Sequence, residues 1–76
     1  MALIEKLEKM TLERDSPHKV VRCSYSIVNG EDGQRYLQLD TYGSSSRQIP
    51  DKKSQSLRFT PDALKALLKI IRENGL

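Results

Sequence analysis

Cations and tyrosines recur along two stretches of the sequence in which polar and apolar residues alternate. The first stretch carries Arg22 and Ser24, and the second carries Tyr36 and Tyr42. Proteins that hold single-stranded nucleic acid combine such residues, because cations bind the phosphates and aromatic rings stack on the bases. A later stretch adds further cations. The candidate nucleic-acid-binding residues are Arg22, Ser24, Tyr36, Tyr42, Arg47, Lys52, Lys53 and Arg58.

Residues that usually perform catalysis are sparse in this chain. His18 is the only histidine, and it stands beside Pro17 in a predicted turn, without the positioned partner that a general base needs. Cys23 is the only cysteine, and it alternates with apolar residues, which favours a small core side chain over a nucleophile. The sequence has no phosphate-loop, metal-cluster or triad pattern. We therefore predict a protein that is not an enzyme and that binds no metal or other cofactor.

Length and charge narrow the class of protein further. A chain of 76 residues forms one domain, and its small core is marginally stable alone. One cysteine cannot form an internal disulfide, so self-association as a homodimer is the expected source of extra stability. The net charge of +3 is compatible with a polyanionic partner without requiring one. The sequence has no signal peptide or membrane-spanning stretch, so we expect a cytoplasmic protein without membrane contact.

The central part of the chain predicts antiparallel strands. Residues 19–28 and 35–42 alternate between polar and apolar side chains and flank a glycine-containing loop at 29–33, which is typical of a hairpin. Residues 54–59 predict a further strand, and residues 47–49 a short one that ends at a proline.

The alternation gives the predicted sheet one polar face. Ser24, Gln38, Asp40 and Tyr42 share that face, whereas the residues between them are mostly apolar. Asp40 would repel a phosphate there unless Arg22 or Arg58 pairs with it across the sheet.

A short amphipathic helix is predicted at residues 2–10, where Leu3, Leu7 and Met10 recur at helical spacing. It has barely three turns, so it must pack on the sheet or on a partner. We predict an N-terminal helix and linker at residues 1–16, followed by a domain at residues 17–76. Residues 1–12 are a candidate site for a protein partner.

The C-terminal helix is the clearest element. Thr60 is a favourable N-cap, Pro61 suits the first helical position, and Asn74 and Gly75 end the helix. Its apolar surface is wider than one small sheet needs, which favours packing against a second chain. The predicted dimer interface consists of Leu64, Leu67, Ile70 and Ile71.

The stretch from Tyr36 to Ile71 resembles the single-stranded-DNA-binding domain of the transcriptional coactivator positive cofactor four and its bacterial relatives of the YdbC type. The resemblance rests on a strand ending near Tyr42, the turn Pro50-Asp51-Lys52-Lys53, an alternating strand, and the helix start Thr60-Pro61.

The resemblance implies a strongly curved antiparallel four-stranded sheet backed by the C-terminal helix, a dimer through the helices, and grooves for two single strands. It places Lys52 and Lys53 at basic positions and Tyr42 where aromatic residues meet bases. The chain departs from the family at Asp40, where the family has a basic residue, and at Ser54, where it has glycine.

The leading hypothesis is a homodimeric α+β domain that binds single-stranded DNA or RNA with little sequence specificity, in transcription or DNA metabolism. The first alternative is a protein-interaction module or inhibitor with the same fold. The second alternative is a double-stranded-RNA domain, which shares the element order, although its signature lysines open the last helix. Here Lys52 and Lys53 precede a strand instead.

Overall fold

The computed structural model describes residues 1–43 and 53–76 of the chain. Its elements are the strands β1 (Ala2–Ile4), β2 (Cys23–Asn29), β3 (Arg35–Tyr42) and β4 (Lys53–Phe59) and the helix α1 (Pro61–Glu73). The four strands form one sheet in the order β1-β4-β3-β2, and α1 packs on it. Strands β2, β3 and β4 pair antiparallel, whereas β1 runs parallel to β4. The α+β class and the sheet backed by a C-terminal helix are confirmed, but the sheet is mixed rather than purely antiparallel.

The β2–β3 hairpin follows the predicted alternation. Gly33 has a φ of 80°, a backbone conformation that glycine adopts without strain, and it closes the loop through its N–H, which donates to the Gly30 carbonyl. Strand β2 begins at Cys23 rather than at residue 19. It starts directly after Arg22, whose carbonyl accepts from the N–H of Tyr42, the last residue of β3.

The predicted N-terminal helix at 2–10 is wrong, because the N-terminus enters the sheet as β1. Ile4 pairs with Phe59 and its carbonyl accepts from the Thr60 N–H, so β1 satisfies backbone groups at the outer edge of β4. A three-turn helix gains little by itself in water, whereas an exposed strand edge offers backbone hydrogen bonds at once. Residues 5–22 then lead to β2 without helix or strand.

Helix α1 begins where the sequence predicts. The Thr60 hydroxyl accepts from the Ala63 N–H at 3.2 Å, and Pro61 occupies the first turn. Ala63 is fully buried and Phe59 is nearly so, which places the small core between the start of α1, the start of β3 and the end of β4. The helix therefore packs on the face that carries Phe59, and the opposite face of the sheet carries the polar residues.

The predicted short strand at 47–49 lies outside the described residues. Within residues 1–43 and 53–76, no helix has the length and apolar character needed to cross a membrane.

Candidate nucleic-acid interface

One face of the sheet carries hydroxyl, amide and charged side chains in two cross-strand rows. Gln38 pairs with Arg58 on β4 and with Ser26 on β2. Asp40 pairs in the same way with Ser56 and with Ser24. Because directly paired residues point to the same side of a sheet, these side chains share one surface. We call this surface, together with Arg22, Tyr42 and Lys53, the polar face.

A β-bulge brings Lys53 to the polar face. Thr41 pairs with Gln55, but the next residue, Tyr42, pairs with Lys53, so Ser54 is an extra residue on β4. In an unbroken strand Lys53 would lie on the same side as Gln55, which is the side that α1 covers. The extra residue reverses this orientation and places Lys53 beside Tyr42.

Asp40 lies at the centre of a hydrogen-bond network. The Gln38 amide donates to both carboxylate oxygens at 3.1 Å, the Ser56 hydroxyl donates to Oδ1, and Lys53 Nζ lies 3.4 Å from Oδ2. Only 2% of Asp40 is exposed, so an ionised carboxylate needs these donors to offset the loss of water. The arrangement leaves little of its charge facing solvent.

The donors keep this carboxylate ionised. The hydrogen bond from Ser56, helped by Gln38 and the Lys53 charge, lowers the pKa of Asp40 below its usual value, against the opposing effect of burial. A folded-state pKa below that of the unfolded chain stabilises the fold above about pH 3.9. The stabilisation is lost as pH falls through the folded pKa. At neutral pH Asp40 is therefore an anion that its hydrogen-bond donors hold in place.

The cation beside Asp40 is Lys53, which the sequence did not single out as its partner. Arg58, one of the two predicted partners, donates from Nε at 3.1 Å and from Nη2 at 2.6 Å to the Gln38 amide oxygen. Gln38 thus links Arg58 to Asp40. Gln38 and Ser56 were absent from the predicted site, although their alternation already placed them on the polar face.

Arg22 and Tyr42 form the second part of the interface. The Arg22 guanidinium carbon lies 4.8 Å from the centre of the Tyr42 ring, within the range of a cation–π contact. The Tyr42 hydroxyl lies 2.8 Å from the Ser24 hydroxyl, which fixes the outer edge of the ring. A shallow cavity of about 430 Å³ is lined by Arg22, Cys23, Ser24, Tyr42 and Lys53. Four of the predicted binding residues therefore meet at one place.

The other predicted binding residues are distributed differently. Tyr36 is tied to the hairpin, because its hydroxyl donates to Asp32 at 2.9 Å and its ring fills the space beside Gly30. That hydrogen bond raises the pKa of Tyr36. Arg47 and Lys52 lie outside the described residues. Tyr36 thus has a structural role in the hairpin that the sequence did not reveal.

Comparisons with protein-family models, curated proteins and solved structures give no match to this chain. The resemblance to the positive cofactor four family therefore stays a prediction. In the part of the chain that the structure describes, no three His, Cys, Asp or Glu side chains are grouped closely enough to hold a metal ion.

Proposed function

We propose that the polar face binds single-stranded DNA or RNA with little sequence specificity, and that the domain acts without catalysis as an accessory factor in transcription or DNA metabolism. The observation that carries this proposal is the convergence of Arg22, Tyr42, Ser24 and Lys53 on one shallow cavity. Two cations, an aromatic ring and a hydroxyl line this cavity, and proteins that bind single strands combine cations with aromatic side chains.

The charge of the polar face favours an anionic ligand. Among residues 1–43 and 53–76, it carries the cations Arg22, Lys53 and Arg58 against the carboxylate of Asp40. Since Asp40 is buried and saturated with donors, it presents little negative potential to a phosphate. One argument against this face, based on the sequence, is that an acidic residue lies among the cations. The burial and the hydrogen bonds of Asp40 weaken that argument.

The Arg22–Tyr42 pair supports base binding that does not read sequence. A guanidinium over an aromatic ring makes a flat surface on which any base can stack, because every base has a π-face. The cations beside it would bind phosphate oxygens, which are the same in every nucleotide.

The cations supply the test of this proposal. We expect two variants to bind single strands more weakly, namely Arg22→Ala and the double variant Lys52→Ala with Lys53→Ala. For each variant, the loss of affinity should be similar for strands of different sequence. For each phosphate contact that is lost, the slope of log K against log salt concentration should fall in magnitude by about 0.7. Fluorescence anisotropy with labelled single-stranded and double-stranded DNA and RNA, at two salt concentrations, measures both quantities.

Lys65→Ala is the matched control, since Lys65 is exposed on α1, on the other side of the sheet. It removes one positive charge but should leave the salt slope unchanged. Equal slopes for the wild type and all variants would show that the polar face does not contact phosphates. Preference for double-stranded RNA would favour the double-stranded-RNA alternative, and absence of binding to every oligonucleotide would favour the protein-interaction module.

A further inference from the structure

The Gln38 side chain joins two charged groups on the polar face. Its amide oxygen accepts from Arg58 Nε at 3.1 Å and from Nη2 at 2.6 Å, and its amide nitrogen donates to both Asp40 oxygens at 3.1 Å. The opposite orientation of the amide would turn its N–H groups toward a cation and its oxygen toward an anion. The two charges therefore fix the Gln38 amide in one orientation.

Burial leaves this contact little freedom. Gln38 is 8% exposed and Asp40 is 2% exposed, so water can hardly replace either partner. Asp40 is itself held by the Ser56 hydroxyl and by Lys53 Nζ at 3.4 Å. A connected network, rather than one flexible pair, thus sets the position of the Gln38 oxygen and of the guanidinium bound to it.

The contact with Gln38 occupies one edge of the Arg58 guanidinium. Arginine has five N–H donors, and this contact uses two of them, on Nε and Nη2. The second edge, formed by Nη1 and Nη2, has the geometry that suits two oxygens of one phosphate. Arg58 is only partly buried, as contact with a ligand requires.

We propose that Gln38 is a positioning residue, which holds Arg58 so that the Nη1–Nη2 edge of the guanidinium binds two oxygens of one backbone phosphate. This inference rests on the proposed function and deepens it, since it names the ligand group that Arg58 takes. Lys53 has a single ammonium group and lies against Asp40, so it cannot make the same two-point contact. An arginine that is ordered before binding loses less conformational entropy when the strand binds.

A double-mutant cycle tests the role of Gln38. We expect Gln38→Met to weaken binding of a labelled single strand by about twofold to tenfold, which is the cost of ordering one long side chain on binding. In the Arg58→Ala background the same substitution should cause no further loss, whereas in the Arg22→Ala background the loss should be undiminished. Gln55→Met is the matched control and should bind like the wild type, because Gln55 lies on the opposite face of β4.

The outcomes separate this inference from the proposed function. A wild-type protein that binds no oligonucleotide would contradict both. If the wild type binds, a Gln38→Met loss that is absent, or equally large in the Arg58→Ala background, would overturn the role of Gln38 alone.

Arg58→Lys tests the two-point contact, because lysine keeps the positive charge without the planar fork. We expect several-fold weaker binding than for the wild type. Equal affinities would show that Arg58 acts through its charge only, against the proposal.

Nuclear magnetic resonance of the unsubstituted protein decides the case in which Gln38→Met does not fold. We expect the Arg58 Nε–H to exchange with water several-fold more slowly than that of Arg72, which is exposed on α1, both before and after a single-stranded oligonucleotide is added. The Arg58 Nη signals should shift on binding. Exchange at the rate of Arg72, or unshifted Nη signals at saturating oligonucleotide, would rule out the proposed positioning.

Discussion

Replacing Tyr42 with alanine is expected to weaken binding of single-stranded nucleic acid by about 1–3 kcal/mol, which is roughly 5-fold to 150-fold in affinity. The ring is the aromatic surface in the cavity, and it holds the Arg22 guanidinium 4.8 Å from its centre. The alanine variant therefore loses the stacking surface and the fixed position of a cation together. Anisotropy titration of one labelled single strand measures the change.

Tyr42→Phe is the control for this result. It keeps the ring but removes the hydroxyl that lies 2.8 Å from the Ser24 hydroxyl. We expect the phenylalanine variant to retain most of the affinity, because stacking needs the ring and not the hydroxyl. Equal affinities for the alanine variant and the wild type, with both folded by circular dichroism, would exclude Tyr42 as a base-stacking residue.

Asp40→Asn is expected to act in the opposite direction and to leave affinity unchanged or increase it. The carboxylate now holds Lys53 at 3.4 Å, and the neutral amide would release that ammonium group. Because Lys53 then no longer shares its charge with Asp40, its contact with a phosphate should strengthen, while the number of phosphate contacts, and hence the salt slope, should stay about the same. Affinity at two salt concentrations, measured on the same labelled strand as for Tyr42, gives the result.

Asp62→Asn makes the same change of charge in the first turn of α1, away from the polar face, and should leave the affinity for the single strand unaltered. A large loss of affinity in folded Asp40→Asn would mean that the carboxylate itself serves the site. The protein-interaction alternative predicts a different pattern. In that case Asp40→Asn impairs the interaction with the protein partner, while oligonucleotide binding stays weak in every variant.

Local sequence signals were sufficient to predict the helix and the strand whose residues follow a regular pattern. The Thr60-Pro61 start sets α1, because a capping hydroxyl and a proline both act within one turn. Alternation over residues 35–42 sets β3 and assigns Gln38 and Asp40 to the polar face. These features depend on neighbours in the chain, so they can be predicted without knowledge of tertiary contacts.

Features that depend on distant residues were not predictable in the same way. Strand β1 forms because the edge of β4 offers backbone partners more than fifty residues further along the chain, whereas its own spacing of leucines favours a helix. Lys53 reaches Asp40 only because Ser54 is an extra residue in the ladder. Nothing in the local pattern around Ser54 distinguishes a bulge from a regular strand.

Nuclear magnetic resonance of side-chain N–H groups tests the central claim most directly, because the sheet carries comparable reporters on both faces. Gln38 and Arg58 lie on the polar face, whereas Gln55 pairs with Thr41 on the opposite face. On titration with a short single-stranded oligonucleotide, we predict that the side-chain signals of Arg22, Gln38 and Arg58 shift while that of Gln55 stays in place. Shifts at Gln55 without shifts at the polar-face signals, or no shifts at saturating oligonucleotide, would contradict the assignment of the polar face as a nucleic-acid interface.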